Sequence, residues 1–257
     1  MLIEQRHSRL QELLAQRGMS DLESLSAELR VSQSTVRRDL DSLESRGLVR
    51  RTHGGVIWVG DKSNGTRAYA FDQRMSIDVD AKRQIAKAAA KLVQPGQTVL
   101  IDGGTTTFHL AEQLLGQSLQ IVTNSLPIAN LFINDENVEL ILVGGVMYPR
   151  YGVLLGPMAE TELGHIHAQT LFISVAGVHG GSLYNQNLLL VQAERRMIEQ
   201  AQQVVLLADS GKFGQQALAR LGGLDEVDVV VSDAGLPEEQ REQVRRAGCE
   251  MVIAESA

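Results

Sequence analysis

The stretch of sequence that decides the N-terminal fold, residues 32–40, reads SQSTVRRDL. Val36, Leu40 and Leu43 recur at the i, i+4 and i+7 spacing that places apolar side chains along one side of a helix. Ser32 stands just before this pattern and is a typical N-cap residue. The pattern therefore predicts a helix that begins after Ser32 and packs through one apolar seam.

The opposite face of this helix carries polar and basic side chains. Glutamine and arginine can read base edges in the DNA major groove, whereas serine, threonine and arginine also reach phosphates. The sequence therefore predicts a helix whose N-terminal end enters the major groove of double-stranded operator DNA. Its candidate DNA-contacting residues are Ser32, Gln33, Ser34, Thr35, Arg37 and Arg38.

Two further helices are predicted before this one. Residues 1–17 place leucines mostly on one side of a helix, and residues 20–23 match the S-x-x-E capping box that opens a second helix, with Ser20 as the N-cap. Only a short turn separates that helix from Ser32. This order of elements is the helix-turn-helix plan.

A β-hairpin is predicted directly after the third helix. Two short β-prone runs flank a glycine-containing turn between residues 47 and 57. Next to a DNA-reading helix such a hairpin acts as a wing, and its basic residues Arg50, Arg51 and His53 are candidate DNA contacts. An ordinary hairpin with a solvated charged face is the alternative interpretation.

Overall charge and cysteine content bound the class of protein. The 257-residue chain has a net charge of −7, but six arginines face only three acidic residues between positions 30 and 51, so positive charge is local to the predicted DNA-binding region. The single cysteine, Cys249, cannot form an intramolecular disulfide. No apolar run approaches the ~20 residues that span a bilayer. We expect a cytoplasmic protein with no membrane partner.

The rest of the chain predicts a second domain. Residues 1–58 form the predicted winged helix-turn-helix, residues 59–75 a polar linker, and residues 76–257 an α/β effector-sensing and oligomerisation domain. Continuous apolar strands that alternate with helices indicate a doubly wound, mostly parallel α/β sheet. The strands are predicted near residues 98–102, 120–123, 139–143, 170–175, 204–208, 228–231 and 251–254.

The turns after these strands are the place to look for a ligand, since open α/β sheets bind ligands beyond the carboxyl ends of their strands. Residues 102–107 read DGGTTT, in which glycines let the backbone approach a ligand and threonine hydroxyls and helix N-terminal amides can bind an anion. The alternative is a glycine turn with a threonine cap. Because the loop lacks the P-loop lysine and the full G-x-G-x-x-G pattern, a nucleotide is disfavoured.

Polar, glycine-containing or cationic residues also follow the other strands and predict a small phosphorylated ligand. The threonines would bind phosphate, Lys212 and Arg150 would neutralise it, and Asn124 and Ser125 would meet hydroxyls, although each could instead be a cap or a surface residue. The complete candidate set is Asp102, Gly103, Gly104, Thr105, Thr106, Thr107, Asn124, Ser125, Gly144, Gly145, Arg150, Gly177, Tyr184 and Lys212.

Taken together, the motifs resemble the DeoR family of bacterial transcriptional regulators over essentially the whole chain. The matching segments are residues 32–40, 53–55, 71–74, 102–106, 122–125, 144–145 and 208–214. The resemblance implies a winged helix-turn-helix joined to a sensor domain similar in fold to sugar-phosphate isomerases. It also implies a homo-oligomer, dimer or tetramer, that represses carbohydrate genes until a phosphorylated sugar or sugar acid releases it.

One segment departs from the family pattern. Many relatives carry a glutamate and then a lysine where this chain has Leu190 and Glu194. Tyr184, Asn185 and Asn187 are therefore candidates to supply ligand contacts in their place.

An isomerase or deaminase on the same scaffold is the alternative function. Enolisation of a sugar phosphate needs a positioned base and an acid. Residues 176–184, where these would be sought, contain no carboxylate, and His179 is the only plausible base there. Asp102 and Asp209 could still act, but aspartates at strand ends commonly cap helices. Binding without turnover is favoured, so no catalytic residue, metal site or cofactor is predicted.

Overall fold

The computed structural model describes residues 6–7, 9–11, 13–14, 19–29, 31–45, 49–52, 55–58, 71 and 74–255. Contacts divide the chain into two compact units, Met1–Arg67 and Ala68–Ala257. Phe71 and Arg74, which the sequence analysis assigned to the linker, are helical residues of the second unit. The Phe71 ring is buried and packs edge-on against Phe108 at a centroid distance of 5.8 Å.

The first unit contains the three predicted helical regions. Residues 6–7, 9–11 and 13–14 are helical, followed by α1 (Leu22–Leu29) and α2 (Gln33–Ser45). The predicted seam of α2 is confirmed, since its apolar residues are buried in one core with those of the other elements. That core consists of Leu10, Leu13, Leu14, Leu25, Leu29, Val36, Leu40, Leu43, Val49 and Val56.

The N-cap of α1 differs from the prediction. Asp21, not Ser20, accepts a hydrogen bond from the Ser24 backbone N–H, at 2.8 Å, and a second from the Ser24 hydroxyl. Ser20 belongs instead to β1 (Met19–Ser20), where it pairs with Val56. The capping-box pattern was wrong because a strand ends where the cap was expected.

A small antiparallel sheet follows α2. Strands β2 (Val49–Thr52) and β3 (Gly55–Trp58) form the predicted hairpin, and β1 adds a third strand in the order β1-β3-β2. The turn residue His53 lies outside the described residues, as does most of the predicted linker.

A buried ionic cluster joins the first helical region to α2. The Asp39 carboxylate accepts hydrogen bonds from Arg6 Nε at 2.5 Å and from the terminal guanidinium nitrogen of Arg6 at 3.0 Å, and it contacts His7 Nε2 at 3.0 Å. Burial alone would raise the pKa of Asp39, but the bonds from Arg6 and His7 outweigh it and hold the pKa below its usual range. This cluster fixes α2 to the first helical region.

The second unit is built on a seven-stranded, fully parallel sheet. Its strands are β4 (Thr98–Ile101), β5 (Leu119–Thr123), β6 (Val138–Leu142), β9 (Ala168–Ser174), β12 (Ala201–Leu207), β14 (Val229–Ser232) and β15 (Glu250–Ile253). Their order in the sheet is β15-β14-β12-β9-β4-β5-β6. All seven strands were predicted within a few residues of their observed limits, and the predicted parallel α/β architecture is confirmed.

Helices cover both faces of this sheet. One core contains the inward residues of α3 (Val79–Ala90), α4 (Thr105–Leu114) and α5 (Leu126–Phe132). The other contains those of α6 (Pro157–Leu163), α7 (Leu188–Glu199) and α8 (Glu238–Arg246). Alternate strand residues enter alternate cores, as when Val99 and Ile101 face one and Leu100 the other. The continuous apolar strands therefore reflect burial on two sides.

Short antiparallel strands that the sequence analysis did not predict flank the main sheet. They form a hairpin of β7 (Val146–Tyr148) and β8 (Val153–Leu155), and a sheet of β10 (Gly177–His179), β11 (Ser182–Asn185) and β13 (Ala219–Gly223).

The substitution Asp39→Asn tests the ionic cluster. It should lower the free energy of unfolding of the first unit by about 1–3 kcal/mol at neutral pH, because hydrogen bonds to a charged partner are lost. Since the folded pKa of Asp39 lies below the unfolded one, this stabilisation is complete above about pH 4 and is lost as pH falls through the folded value. Fluorescence of Trp58, the sole tryptophan and part of β3, reports unfolding of this unit in urea.

Wild-type and Asp39→Asn proteins should therefore differ in urea midpoint at neutral pH and converge in acid. Equal midpoints at neutral pH would show that the cluster contributes nothing to stability.

Candidate functional site

The predicted DNA-contacting face of α2 lies at the surface. Gln33, Ser34, Arg37 and Arg38 are exposed and Thr35 is half-buried. The polar face and the buried leucine seam therefore occupy opposite sides of one helix, as predicted.

Ser32 holds the start of this helix. Its hydroxyl accepts a hydrogen bond from the Thr35 backbone N–H at 3.3 Å and lies 2.9 Å from the hydroxyls of Ser34 and Thr35. In the wing, Arg50 and Arg51 belong to β2, but their side chains, like residue His53, lie outside the described part of the structure.

A cleft lies at the carboxyl ends of β4 and β9, two neighbouring strands in the middle of the sheet. From β4 the chain continues outward to β5 and β6, whereas from β9 it continues to β12, β14 and β15 on the other side. This is the topological switch point, where loops diverge and a ligand cleft forms. Seven of the candidate effector-binding residues line it: Asp102, Gly103, Gly104, Thr105, Thr106, Asn185 and Lys212.

Asp102 bridges the two diverging strands. It follows β4, and its Oδ2 accepts hydrogen bonds from the backbone N–H and the hydroxyl of Ser174, the last residue of β9, both at 3.3 Å. Burial raises the pKa of Asp102 to about 6, although the bonds from Ser174 and Gly103 and the charge of Arg74 act to lower it. A proton therefore binds to this carboxyl group far more readily than to an exposed aspartate.

The two glycines of the loop are required by packing within the protein. A Cβ on Gly103 would collide with the Val153 side chain, and one on Gly104 would collide with the Ser174 hydroxyl. The sequence analysis attributed them to close approach of a ligand. Their positions bring the loop against β8 and β9, which lets the start of α4 face the cleft.

The three consecutive threonines of α4 divide into two roles. Thr105 and Thr106 line the cleft at the helix N-terminus. Thr107 is fully buried, and its hydroxyl accepts from the Gly104 N–H at 2.8 Å and donates to the Asp102 carbonyl at 2.7 Å. Thr107 is therefore a helix cap, the alternative that the sequence analysis had left open.

Three cationic side chains line the cleft together. Lys212 lies 3.6 Å from the Asp209 carboxylate, and the Lys82 ammonium donates to the backbone carbonyls of Arg74 and Ile77. Burial lowers the pKa of Lys82, and the charge of Lys212 lowers it further. Burial also lowers the pKa of Arg74, whose guanidinium carbon lies 4.5 Å from the Tyr151 ring centroid. A bound anion would relieve this concentration of positive charge.

Glu194 and Asn185 line another part of the same cleft. The Asn185 side-chain amide donates to Glu194 Oε1 at 2.6 Å. Burial raises the pKa of Glu194 well above its ordinary value, and the negative charge of Asp102 raises it further. Leu190, one turn earlier on α7, lines the cleft as well.

The remaining predicted effector-binding residues do not line the cleft. Ser125 caps α5 by accepting from the Ile128 N–H, and the Asn124 amide donates to the Leu154 carbonyl at 3.0 Å. The Gly144 N–H donates to the Glu162 carboxylate. Gly145, the next residue, packs near Leu155. These loops follow β5 and β6 and pack against the β7–β8 region.

Arg150, Gly177 and Tyr184 also have structural surroundings of their own. The Arg150 guanidinium lies 5.9 Å from the Tyr151 ring centroid. Gly177 packs against the backbone of Gln215, and Tyr184 pairs with Arg220 between β11 and β13. Asn187, a further candidate, caps α7 and donates to the Tyr148 hydroxyl.

The cleft contains residues that the sequence analysis did not assign to it, among them Arg74, Lys82, Tyr151 and Ser174. Arg74 had been noted only as part of a family-like linker motif. Lys82 lies on α3, where its sequence context resembles that of a solvated lysine. Only its burial in the folded unit identifies it as a cleft residue.

Neither a membrane-spanning helix nor a metal cluster occurs among the described residues. None of their helices is long and apolar enough to cross a bilayer, and no group of three or more His, Cys, Asp or Glu side chains in this part of the chain could hold a metal ion.

Comparison with known proteins decides the family. Residues 6–61 match the DeoR-like helix-turn-helix domain, and residues 77–234 match the DeoR C-terminal sensor domain. The chain belongs to the DeoR family. This DeoR-family protein is a DNA-binding transcriptional regulator, as the sequence motifs predicted.

Similar DeoR-family relatives span nearly the whole chain. The HTH-type transcriptional regulator GlpR of Haloferax volcanii is 34% identical over 98% of this chain and 98% of its own. UlaR of Shigella sonnei is 32% identical, covering 95% and 96%, and the L-fucose operon activator of Haemophilus influenzae is 32% identical, covering 87% and 89%. Ribose 5-phosphate isomerase A of Methanocaldococcus jannaschii aligns at 19% identity and a TM-score of 0.39, over 53% of this chain and 55% of its own.

Alanine substitutions of the two exposed arginines test the DNA-reading helix of this DeoR-family protein. Arg37→Ala and Arg38→Ala should each weaken binding to a DNA fragment that the full chain enriches from a random pool. We expect a loss of about 1–3 kcal/mol for a base-edge contact, or a salt slope reduced by about one for a phosphate contact.

Arg246→Ala is the matched control, because Arg246 is an exposed arginine of the second unit. Fluorescence anisotropy at several salt concentrations measures both quantities. Unchanged affinity in both α2 variants would rule out this face as the DNA contact.

Proposed function

We propose that the protein represses a carbohydrate-utilisation operon and is released from operator DNA by a phosphorylated sugar or sugar acid that binds in the cleft at the switch point. The observation that carries this proposal is the convergence of the α4 N-terminus, Thr105, Thr106 and three cationic side chains in one cleft. A relative in Escherichia coli O157:H7, 31% identical over 97% of this chain, is provisionally named as the aga operon transcriptional repressor.

The cleft has the chemistry that a phosphate monoester requires. Helix N-terminal amides and the helix dipole favour an anion, and threonine hydroxyls add donors. Lysine and arginine provide charge-assisted hydrogen bonds, which are roughly twice as strong as neutral ones. Asn185 and Gln186 can hydrogen-bond the hydroxyl groups of a sugar in the same cleft.

Release from DNA follows from linkage between two sites. If the ligand prefers an arrangement of the protein that binds DNA poorly, it weakens DNA binding, and DNA weakens ligand binding by the same factor. A coupling free energy of ~1–3 kcal/mol corresponds to about 5- to 150-fold. We propose a homo-oligomer, dimer or tetramer, as the DNA-binding form, since a single winged module contacts few base pairs.

Operator titrations with and without sugar phosphates test the proposal. We expect at least one compound from a panel of aldose, ketose and aldonic acid phosphates to weaken DNA binding about fivefold or more. No shift with any compound would contradict the release mechanism. Tighter DNA binding in the presence of every active compound would also contradict release, because such compounds would favour the DNA-bound form.

The substitution Lys212→Gln tests the site itself. Loss of a charged partner of the phosphate should weaken binding of the active compound at least about tenfold, while DNA binding without the compound stays unchanged. Glutamine can still hydrogen-bond the neighbouring Asp209 carboxylate. Lys91→Gln, at an exposed lysine just after α3, is the matched control. An equal response of both variants would place the ligand elsewhere.

A sugar-phosphate isomerase is the second candidate. The observation that favours it is the pair of buried carboxyl groups, Asp102 and Glu194, whose raised pKa values suit acid–base chemistry. His179, the base considered from the sequence, is exposed and does not line the cleft. NMR of the same panel incubated with the protein should show no conversion. Turnover that disappears in Asp102→Ala or His179→Ala would establish an enzyme.

A further inference from the structure

One carboxyl oxygen of Glu194 lines the cleft without a hydrogen-bond partner. Glu194 is only 3% exposed, and its Oε1 accepts from Asn185. Its Oε2 is buried and forms no hydrogen bond with any described residue. Because a buried polar atom without a partner destabilises the folded protein, this oxygen points to a ligand atom that completes the bonding.

The orientation of this side chain is fixed by its neighbour. Asn185 Oδ1 accepts from the Ala176 N–H at 3.0 Å, so its amide group must face Glu194 Oε1. Oε1 is therefore committed as an acceptor, and Oε2 is the atom left to interact with whatever occupies the cleft.

The surroundings of Glu194 favour its protonated form. Burial raises the pKa of Glu194 well above its ordinary value, and the Asp102 carboxylate in the same cleft raises it further. Leu190 lines the cleft from the same helix and brings no charge. In its protonated form, Glu194 can donate a hydrogen bond from Oε2 into the cleft.

We propose that Glu194 is a specificity-determining residue that donates a hydrogen bond from Oε2 to an uncharged oxygen of the effector, so that the protein responds to neutral sugar phosphates and rejects phosphorylated sugar acids. The inference rests on the proposed function of the cleft and narrows its substrate class.

Rejection of a sugar acid follows from the surrounding charge. An ionised carboxylate could accept the hydrogen bond from Glu194, but its negative charge would then lie in the same buried cleft as the Asp102 carboxylate, where like charges repel strongly. A hydroxyl or carbonyl oxygen accepts the same hydrogen bond without adding charge. An ammonium group would instead require Glu194 to lose its proton, so an amino sugar is the competing ligand class.

Calorimetric titration of the full chain tests the inference. The probes are aldose phosphates of four, five and six carbons, the aldonic acid phosphates with the same carbon chains, glucosamine phosphate and inorganic phosphate. We expect the tightest aldose phosphate to bind about tenfold or more tighter than its matching acid, and tighter than inorganic phosphate and the amino sugar.

Two substitutions separate the roles of Glu194. Glu194→Gln keeps a neutral donor next to Asn185 and should preserve the preference for the aldose phosphate. Glu194→Leu removes the donor and should weaken the aldose phosphate about tenfold while leaving inorganic phosphate unchanged. Glu199→Gln, at an exposed glutamate of the same helix, is the matched control.

The possible failures are distinguishable. Absence of binding by every probe, inorganic phosphate included, would overturn the proposed function and this inference with it. Three results would overturn the inference alone. One is an acid phosphate that binds as tightly as its matching aldose phosphate, and another is sugar phosphates that bind no tighter than inorganic phosphate. The third is an amino sugar phosphate that binds tightest and whose binding is lost in Glu194→Gln.

Infrared spectroscopy examines the proton on Glu194 without any ligand. A protonated carboxyl group has a carbonyl stretching band separate from that of a carboxylate. We expect such a band at neutral pH in the wild-type protein and its loss in Glu194→Gln, with an unchanged melting temperature confirming that the variant is folded. A spectrum that does not change in this region would overturn the inference.

Discussion

The hydrogen bonds between Asp102 and Ser174 join the two strands at the switch point, on which the arrangement of the second unit depends. Asp102 follows β4, and Ser174 is the last residue of β9. From these two adjacent parallel strands the chain proceeds in opposite directions across the sheet. Because crossover connections share one handedness, such a reversal leaves a crevice that no loop crosses. The α4 N-terminus, Lys212 and Glu194 all line that crevice.

Features with a local signal could be predicted from the sequence. The seam of Val36, Leu40 and Leu43 depends on helical periodicity alone, and each central strand is a continuous apolar run because both faces of the sheet are covered. The loop after β4 could be predicted to line a cleft because it directly follows the end of a strand, where ligands bind in this fold class.

Features that depend on tertiary packing could not. The loops after β5 and β6 have suitable polar residues. However, the Asn124 side chain bonds to the β7–β8 region, and Ser125 caps α5. Lys82 resembles a surface lysine until its helix packs beside the cleft. Asn185 was a candidate from the sequence, but its hydrogen bond to Glu194 depends on a small antiparallel sheet without a clear sequence pattern. Tertiary contacts, rather than residue type, distinguish the groups that line the cleft from the caps in these segments.

We propose that one unit reads DNA, that the other binds the ligand, and that a thermodynamic coupling joins the two binding events. The most direct measurement is the calorimetric affinity of the tightest sugar phosphate for the protein, alone and saturated with operator DNA. Reciprocity predicts that DNA weakens the sugar phosphate by the same factor by which the sugar phosphate weakens DNA. An affinity for the sugar phosphate that is identical with and without DNA would contradict the account.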